Sequence, residues 1–377
     1  MNPDPAHMRL ALRLAMRAYG CTSPNPLVGA VLVRNGRVIG KGWHHRAGKP
    51  HAEIEALRDA ERRGETVRGA TIYVTLEPCC SHGRTPPCTD ALIRAGVERV
   101  VVAATDPNPK HAGRGFEILR AAGIPVEHGV MAAESNRMNE AFNHWIVHRT
   151  PFVTAKIAMT LDGKIATASG ESKWITGPES RAHAHRLRLG ADATLVGLGT
   201  VLADDPSLTV RSQPGLRLPK DFPAKRRVVL DSKARTPLDS KLVTDEFRAN
   251  TIVVTSEEAP KRRVAALRER VTVLQLPARE RRIDLSRLMV ELGALNISSV
   301  LVEGGGEVLG AFFEQGLVHR TAFFYAPMIL GGRESKKAVA GAGFRSLAEA
   351  PSLADIESRR FGDDLFVTAR VVNNSKV

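Results

Sequence analysis

Three side chains able to share one metal ion stand far apart along the chain: His51 in His51-Ala52-Glu53, Cys79 in Glu77-Pro78-Cys79, and Cys88 in Pro86-Pro87-Cys88. For one imidazole and two sulfurs to meet, the chain must return twice to the same place, and each return coincides with a predicted helix start. Three protein ligands with the fourth position left to solvent is the pattern of catalytic zinc, whereas structural zinc usually takes four. The unpaired N–H groups of a helix start also help hold a sulfur as thiolate. Cys80 competes with Cys79 as ligand, although Pro78 fixes the approach of its immediate neighbour. His44 and His45 form a rival pair, but adjacent residues on an extended chain point to opposite sides, so at most one reaches the site. Cys21 reads as a small packed residue. Three of the four cysteines fall within ten residues, too local for a disulfide framework, so metal binding is the better reading.

Glu53 follows His51 by two positions, which in a regular helix puts the side chains about 200° apart. At a helix entry both can lean into one pocket. An unligated carboxylate beside such a zinc is the proton carrier of the zinc deaminases, so hydrolytic deamination is the expected chemistry. The usual deaminase pattern has two residues between its cysteines, whereas eight separate Cys79 from Cys88. That longer loop must form part of the pocket mouth. In it, His82 and Arg84 either meet a phosphate or ring edge or are simply solvated. Asn25, in Ser23-Pro24-Asn25-Pro26, sits in a rigid turn that can present its amide to a substrate or serve the turn alone. Asn25, His44, His82 and Arg84 are the substrate-binding candidates of this half.

With 377 residues the chain is long enough for two cores, because single cores stop growing near about 250–300 residues. Asp4-Pro5 predicts a helix start, and Asn35-Gly36 between two β-rich runs predicts a tight hairpin. Helices are predicted over 51–63, 91–95 and 115–122, with strands over 71–76 and 99–104. A domain boundary is expected at Arg149-Thr150-Pro151, giving domains 1–149 and 150–377. Beyond it, strands are predicted over 152–159, 194–198, 227–230, 251–255, 271–276 and 300–302, with helices over 180–189, 285–292 and 308–315. Strands alternating with helices imply two α/β layer domains. Glu303-Gly304-Gly305-Gly306, between strand and helix, suits an anion resting on helix N–H groups or a plain glycine turn. It lacks the spaced glycines of the dinucleotide fingerprint.

Taken together, His51-Ala52-Glu53, Glu77-Pro78-Cys79 and Gly83-Arg84-Thr85-Pro86-Pro87-Cys88 resemble the bifunctional deaminase/reductase family of riboflavin biosynthesis, whose own cysteine spacing has the eight-residue gap. Further matches span nearly the whole chain, among them Asp106-Pro107-Asn108-Pro109, Leu161-Asp162-Gly163-Lys164, Gly170-Glu171-Ser172-Lys173-Trp174-Ile175-Thr176 and Leu202-Ala203-Asp204-Asp205-Pro206. The resemblance implies a cytidine-deaminase-like three-layer α/β domain followed by a dihydrofolate-reductase-like α/β domain. The first would remove the 2-amino group of a diamino-ribosylaminopyrimidine phosphate, and the second would reduce its ribosyl group to ribityl with NADPH. By position, His51, Cys79 and Cys88 should bind zinc, with Glu53 as proton shuttle. Ala158, Trp174, Thr200, Asp204, Ser232, Gly305, Gly306, Glu307, Val308, Leu309, Gly310 and Ala311 fall where the family contacts NADP. Ser172, Arg188, Leu208, Arg211 and Glu303 fall where it contacts substrate, and the guanidinium forks of Arg188 and Arg211 suit a phosphate. Lys156 and Asp204 are candidates for orienting the ribose and relaying a proton. A homo-oligomer joined through the reductase domains is also implied.

Two other readings compete: a nucleic-acid base deaminase with a C-terminal binding platform, and a non-catalytic zinc module. The net charge of +14 invites the first, but it is spread evenly, +6 over residues 1–150 and +8 over the rest, and aromatic residues are only 5% of the chain, too few for a base-stacking surface. The second makes Glu53 incidental. No apolar run reaches the ~20 residues that span a bilayer, and the N-terminal segment has arginines through its apolar positions, so neither a membrane nor a secretory signal is expected. The expected compartment is the cytoplasm, and the expected partner a small phosphorylated pyrimidine.

Overall fold

The computed structural model describes residues 4–81, 86–213, 215–216, 218, 222–279 and 282–373, and it divides into two compact units, Met1–Arg149 and Thr150–Val377. In the first unit, α1 (Pro5–Ala15) starts where Asp4 Oδ1 accepts a hydrogen bond from Ala6 N at 2.8 Å. Strands β1 (Gly29–Arg34) and β2 (Arg37–Trp43) form a hairpin through Asn35 and Gly36, whose φ values of 51° and 72° are those its tight turn demands. With β3 (Thr71–Leu76), β4 (Arg99–Ala104) and β5 (Val126–His128) they make a five-stranded sheet of order β2-β1-β3-β4-β5, in which β3, β4 and β5 run parallel.

Alternation along these strands builds the layers. Ala30, Leu32, Ile72, Val74, Val100 and Val102 pack toward α2 (Ala52–Arg62), α3 (Cys88–Ala95) and α4 (Arg114–Ala121). Their neighbours Val31, Val33, Tyr73, Val101 and Ala103 pack against α1 on the other face. A slip of one residue in any strand would exchange the two sets, so the register is firmly specified. Gly42 makes the site possible: a Cβ there would lie 2.2 Å from Ala52 O, so only glycine lets β2 lie against the first turn of α2. Two helices outside the predicted set, Ala132–Met138 and Glu140–His148, close the unit. Ser135 Oγ donates to Thr75 O, and Asn139 bonds both the N–H and the C=O of Leu27.

The second unit is built on a nine-stranded sheet, in the order Thr272–Leu276, Thr251–Ser256, Arg226–Leu230, Ala193–Gly197, Ser299–Val302, Phe152–Thr160, Arg320–Ala326, Asp364–Val372, Ser352–Phe361. The first seven strands are parallel and the last two antiparallel. The parallel strands are buried on both faces, Leu195, Val228 and Val254 in one core and Val196, Val229 and Val253 in another, which is why they read as continuous apolar runs. Arg320–Ala326 and the final hairpin lie outside the predicted strands. In α/β sheets of this kind, ligands bind beyond the carboxyl ends of the strands. There, Ala193–Gly197 and Ser299–Val302 end side by side, so close that a Cβ on Gly304 would lie 2.7 Å from Gly197 N.

Gly310, in the helix Gly306–Glu314, would place a Cβ 1.9 Å from Ala340 O. Gly310→Ala is therefore expected to cost about 1–3 kcal/mol or more through overpacking, read as a lowered thermal unfolding midpoint. An unchanged midpoint would show that residues 336–341 can shift at no cost.

Candidate active sites

His51 is the N-cap of α2, with extended backbone (φ −75°, ψ 166°), and therefore lies outside the regular helix. This frees it from the helical spacing that would separate it from Glu53. Cys88 is the first residue of α3, and Cys79 follows β3 in the loop that leads there. The Cys79 and Cys88 sulfurs lie 3.4 and 3.3 Å from His51 Nδ1, and Cys88 N–H donates to Cys79 Sγ at 3.3 Å. The three ligand atoms lie within 4.8 Å of one another, the one such cluster of potential ligands among the described residues. The hydrogen bond shared by the sulfurs holds the Cys79 thiol down to about 4 and pushes the Cys88 thiol up. Ionising two sulfurs this close together requires a countercharge of the kind a divalent ion brings. Donor set, spacing and charge all fit zinc.

Glu53 is only 3% exposed and lines the same cavity, of about 390 Å³, as His51 and Cys79. Burial pushes its carboxyl up to about 7. His44 also lines the cavity but is no ligand: its Nδ1 lies 3.0 Å from Pro50 O and its Nε2 3.1 Å from Asn25 Nδ2. A neutral ring with its proton on Nδ1 satisfies both contacts, and burial lowers its pKa accordingly. Asn25 thereby has its amide nitrogen tied to His44. His45 packs at a tilt against Trp43, and Cys80 turns to His111, with Sγ 3.6 Å from Nδ1. His82 and Arg84 lie outside the described residues.

Sequence reasoning gave no role to Glu77. Its buried carboxylate accepts from the N–H groups of Asp106, Gly113 and Gly115, holding the loop that carries Asp106, Asn108 and His111 into the cavity wall. Glu77→Ala is expected to cost about 2–4 kcal/mol by orphaning three backbone donors, seen as lowered thermal stability and faster amide exchange over residues 106–115. Unaltered exchange there would show the loop is held by other contacts.

In the second unit, a cavity of about 270 Å³ brings together Lys156, Ala158, Ser172, Trp174, Thr200, Asp204, Glu303, Gly305 and Leu309. Inside it Lys156 Nζ lies 3.7 Å from Glu303 Oε2, and Asp204 Oδ1 pairs with Lys173 Nζ at 3.1 Å. Arg188 is likewise already engaged, Nε and Nη2 gripping both oxygens of Glu303 and Nη1 reaching Thr209 O, so its fork is not open for a phosphate. Leu208 is 4% exposed within an apolar core rather than in a cavity wall. Arg211 lines neither this cavity nor the next; its N–H donates to His185 Nδ1. Gly306, like Gly310, is a packing position, facing Lys337 O and Ala340.

Ser232, Glu307, Val308 and Ala311 line a second cavity, of about 660 Å³. Between the two cavities begins the helix Gly306–Glu314, whose N-cap Gly305 offers no side chain to its first N–H groups. A Cβ on Gly305 would meet nothing nearer than Thr200 Oγ1, at 3.9 Å. Open donors at a helix start, flanked by two cavities, fit a dinucleotide pyrophosphate.

Residues 1–104 match the cytidine and deoxycytidylate deaminase zinc-binding region, and residues 151–367 match the RibD C-terminal domain. Fold and sites together define a bifunctional enzyme, a zinc-type deaminase joined to a reductase. The riboflavin biosynthesis protein RibD of Aquifex aeolicus is 45% identical over 97% of this chain and 97% of its own length, and that of Escherichia coli K12 is 42% identical over 96% and 98%. The chain belongs to the RibD family of riboflavin-biosynthesis proteins. Among solved structures, Acinetobacter baumannii RibD superposes with a TM-score of 0.85 at 36% identity, covering 98% of this chain and 99% of that one. The diaminohydroxyphosphoribosylaminopyrimidine deaminase/5-amino-6-(5-phosphoribosylamino)uracil reductase of Thermotoga maritima superposes with 0.81 at 35%, covering 97% and 98%.

Proposed function

We propose that the first unit hydrolyses the 2-amino group of 2,5-diamino-6-ribosylamino-4(3H)-pyrimidinone 5′-phosphate, and that the second reduces the ribosyl group of the product to ribityl with NADPH. The observation that carries this reading is the meeting of the His51, Cys79 and Cys88 ligand atoms beside a cavity whose wall includes His51, Cys79 and the buried Glu53, which is not one of the three. Zinc held by the three ligands supplies Lewis acidity that makes water nucleophilic at neutral pH. Glu53 takes the proton released as water adds to the ring carbon and returns it to the departing amine, so a C–O bond forms, the C–N bond breaks and ammonia leaves. Asn25, oriented by His44, binds the edge of the pyrimidine.

In the reductase, bound NADPH would supply a hydride to C1′ of the ribosyl group, the C1′–O4′ ring bond opening and its oxygen taking up a proton. Lys156, backed by Glu303, holds the accompanying proton. Lys173 and Asp204 close the cavity from the mouth, and Trp174, whose ring lies under the Arg181 guanidinium, forms one wall. Ser172, on the wall of this cavity, binds substrate in this reading. The 69% exposure of Trp174 leaves it free to meet a ligand. Cytoplasmic work on a soluble metabolite accords with the lack of any described helix long and apolar enough to cross a membrane. Leu353 and Ile356, exposed on the edge strand Ser352–Phe361, support assembly of copies through this unit.

Incubation with the authentic pyrimidine phosphate tests both steps. Mass analysis is expected to show amine-for-oxygen exchange without cofactor, and a gain of two hydrogens only when NADPH is added. Absence of the exchange would overturn the first assignment, and absence of the gain the second.

A further inference from the structure

The larger reductase cavity holds a cation that the steps above leave unused. One wall is the carboxyl end of Arg226–Leu230 with Ser232, another is the helix face of Glu307, Val308 and Ala311, and Arg282 stands on a third. Among the described residues that line it, Arg282 is the one cation. Its Nη2 lies 3.9 Å from Glu307 Oε2, and both side chains are largely in water, so the pair is loose and weak. The other two carboxylates of the wall are engaged elsewhere: Asp284 Oδ1 accepts from Arg287 N at 3.0 Å, capping Leu285–Ala294, and Glu314 Oε1 accepts from Gly343 N at 2.9 Å. Leu230, Val308 and Ala311 supply an apolar floor for a flat base, beside a hydroxyl and a guanidinium.

We infer that Arg282 determines the choice of NADPH over NADH, its guanidinium binding the 2′-phosphate of the adenosine ribose with Ser232 as a second donor. The inference rests on the reductase reading above. A phosphate dianion accepts a bidentate pair from guanidinium and outcompetes a single solvated carboxylate, whereas the ribose hydroxyl of NADH cannot. An arginine near the ribose is a general device for accommodating this phosphate.

Calorimetric titration of the full-length protein with NADPH, NADH and adenosine 2′,5′-bisphosphate tests it in the parent and in Arg282→Ala and Arg282→Lys, alongside KM for both cofactors. Arg282→Ala is expected to weaken NADPH and the bisphosphate by about 10–100-fold while changing NADH by less than about threefold, with Arg282→Lys in between. Equal NADPH affinity in parent and Arg282→Ala would overturn the inference while leaving the reductase reading intact. Equal losses for NADPH and NADH would overturn it too, by making Arg282 merely structural. Failure of the parent to bind or oxidise NADPH would remove the reductase reading itself.

Discussion

Replacing Glu53 with Gln is expected to slow ammonia release by about 100- to 10,000-fold while zinc content and fold stay as in the parent. The substitution keeps the volume of a side chain that is 3% exposed, so the core loses little, but an amide cannot accept the proton that water must give up. Because the imidazole and the two sulfurs are untouched, the metal should remain at one per chain. Turnover within about threefold of the parent would mean that another group carries the proton, far short of the usual contribution of a positioned general base. Loss of zinc together with activity would instead make Glu53 part of the metal site.

The second large effect is expected at Glu303. Burial works to raise its pKa, but the charges of Arg188 and Lys156 outweigh that and hold it down to about 2. A carboxyl depressed in the folded state stabilises fully above its unfolded pKa, near ~4.3, and loses that contribution as pH falls toward its folded pKa. The linked stabilisation is on the order of 3 kcal/mol. Glu303→Gln leaves two buried cations without their counter-ion, which is expected to cost about 3–5 kcal/mol at neutral pH. The gap in thermal midpoint between parent and variant should therefore be widest above about pH 5 and close as pH approaches 2. A gap that stays constant with pH would show that Glu303 acts through packing rather than charge. Reductase activity should fall with the same substitution, since Lys156 loses its partner.

The amount legible in the sequence tracks how local each signal is. Asn35-Gly36 announces its hairpin because the turn itself needs two residues at positive φ. The parallel strands announce themselves as apolar runs because both faces are covered. The edge hairpin of Ser352–Phe361 and Asp364–Val372 does not: its first strand has no buried face, and Asp355, Glu357, Arg359 and Arg360 erase any alternation. Ala132–Met138 and Glu140–His148 are short, and they are anchored by long-range bonds from Ser135 and Asn139 that no window of sequence contains.

The metal site was legible because its residue types are rare and their chemistry narrow. The convergence of His51 with Glu53 came less directly, since it depends on His51 lying just outside the helix. Glu77 was missed because its three partners are 29 to 38 positions away and are backbone groups. The ion pairing in the reductase, Lys156 with Glu303 and Asp204 with Lys173, depends on which side chain reaches which across a cavity. Spacing within a motif does not encode that. For the same reason Arg188 looked like an open phosphate fork until its partner was seen.

Zinc K-edge X-ray absorption on the purified full-length protein tests the central claim most directly. One zinc per chain is expected, with two sulfurs at about 2.3 Å and a nitrogen at about 2.0 Å, and with sulfur scattering reduced in Cys79→Ser or Cys88→Ser but unchanged in Cys80→Ser. A four-sulfur shell, or sulfur scattering lost in Cys80→Ser and kept in Cys79→Ser, would contradict the account.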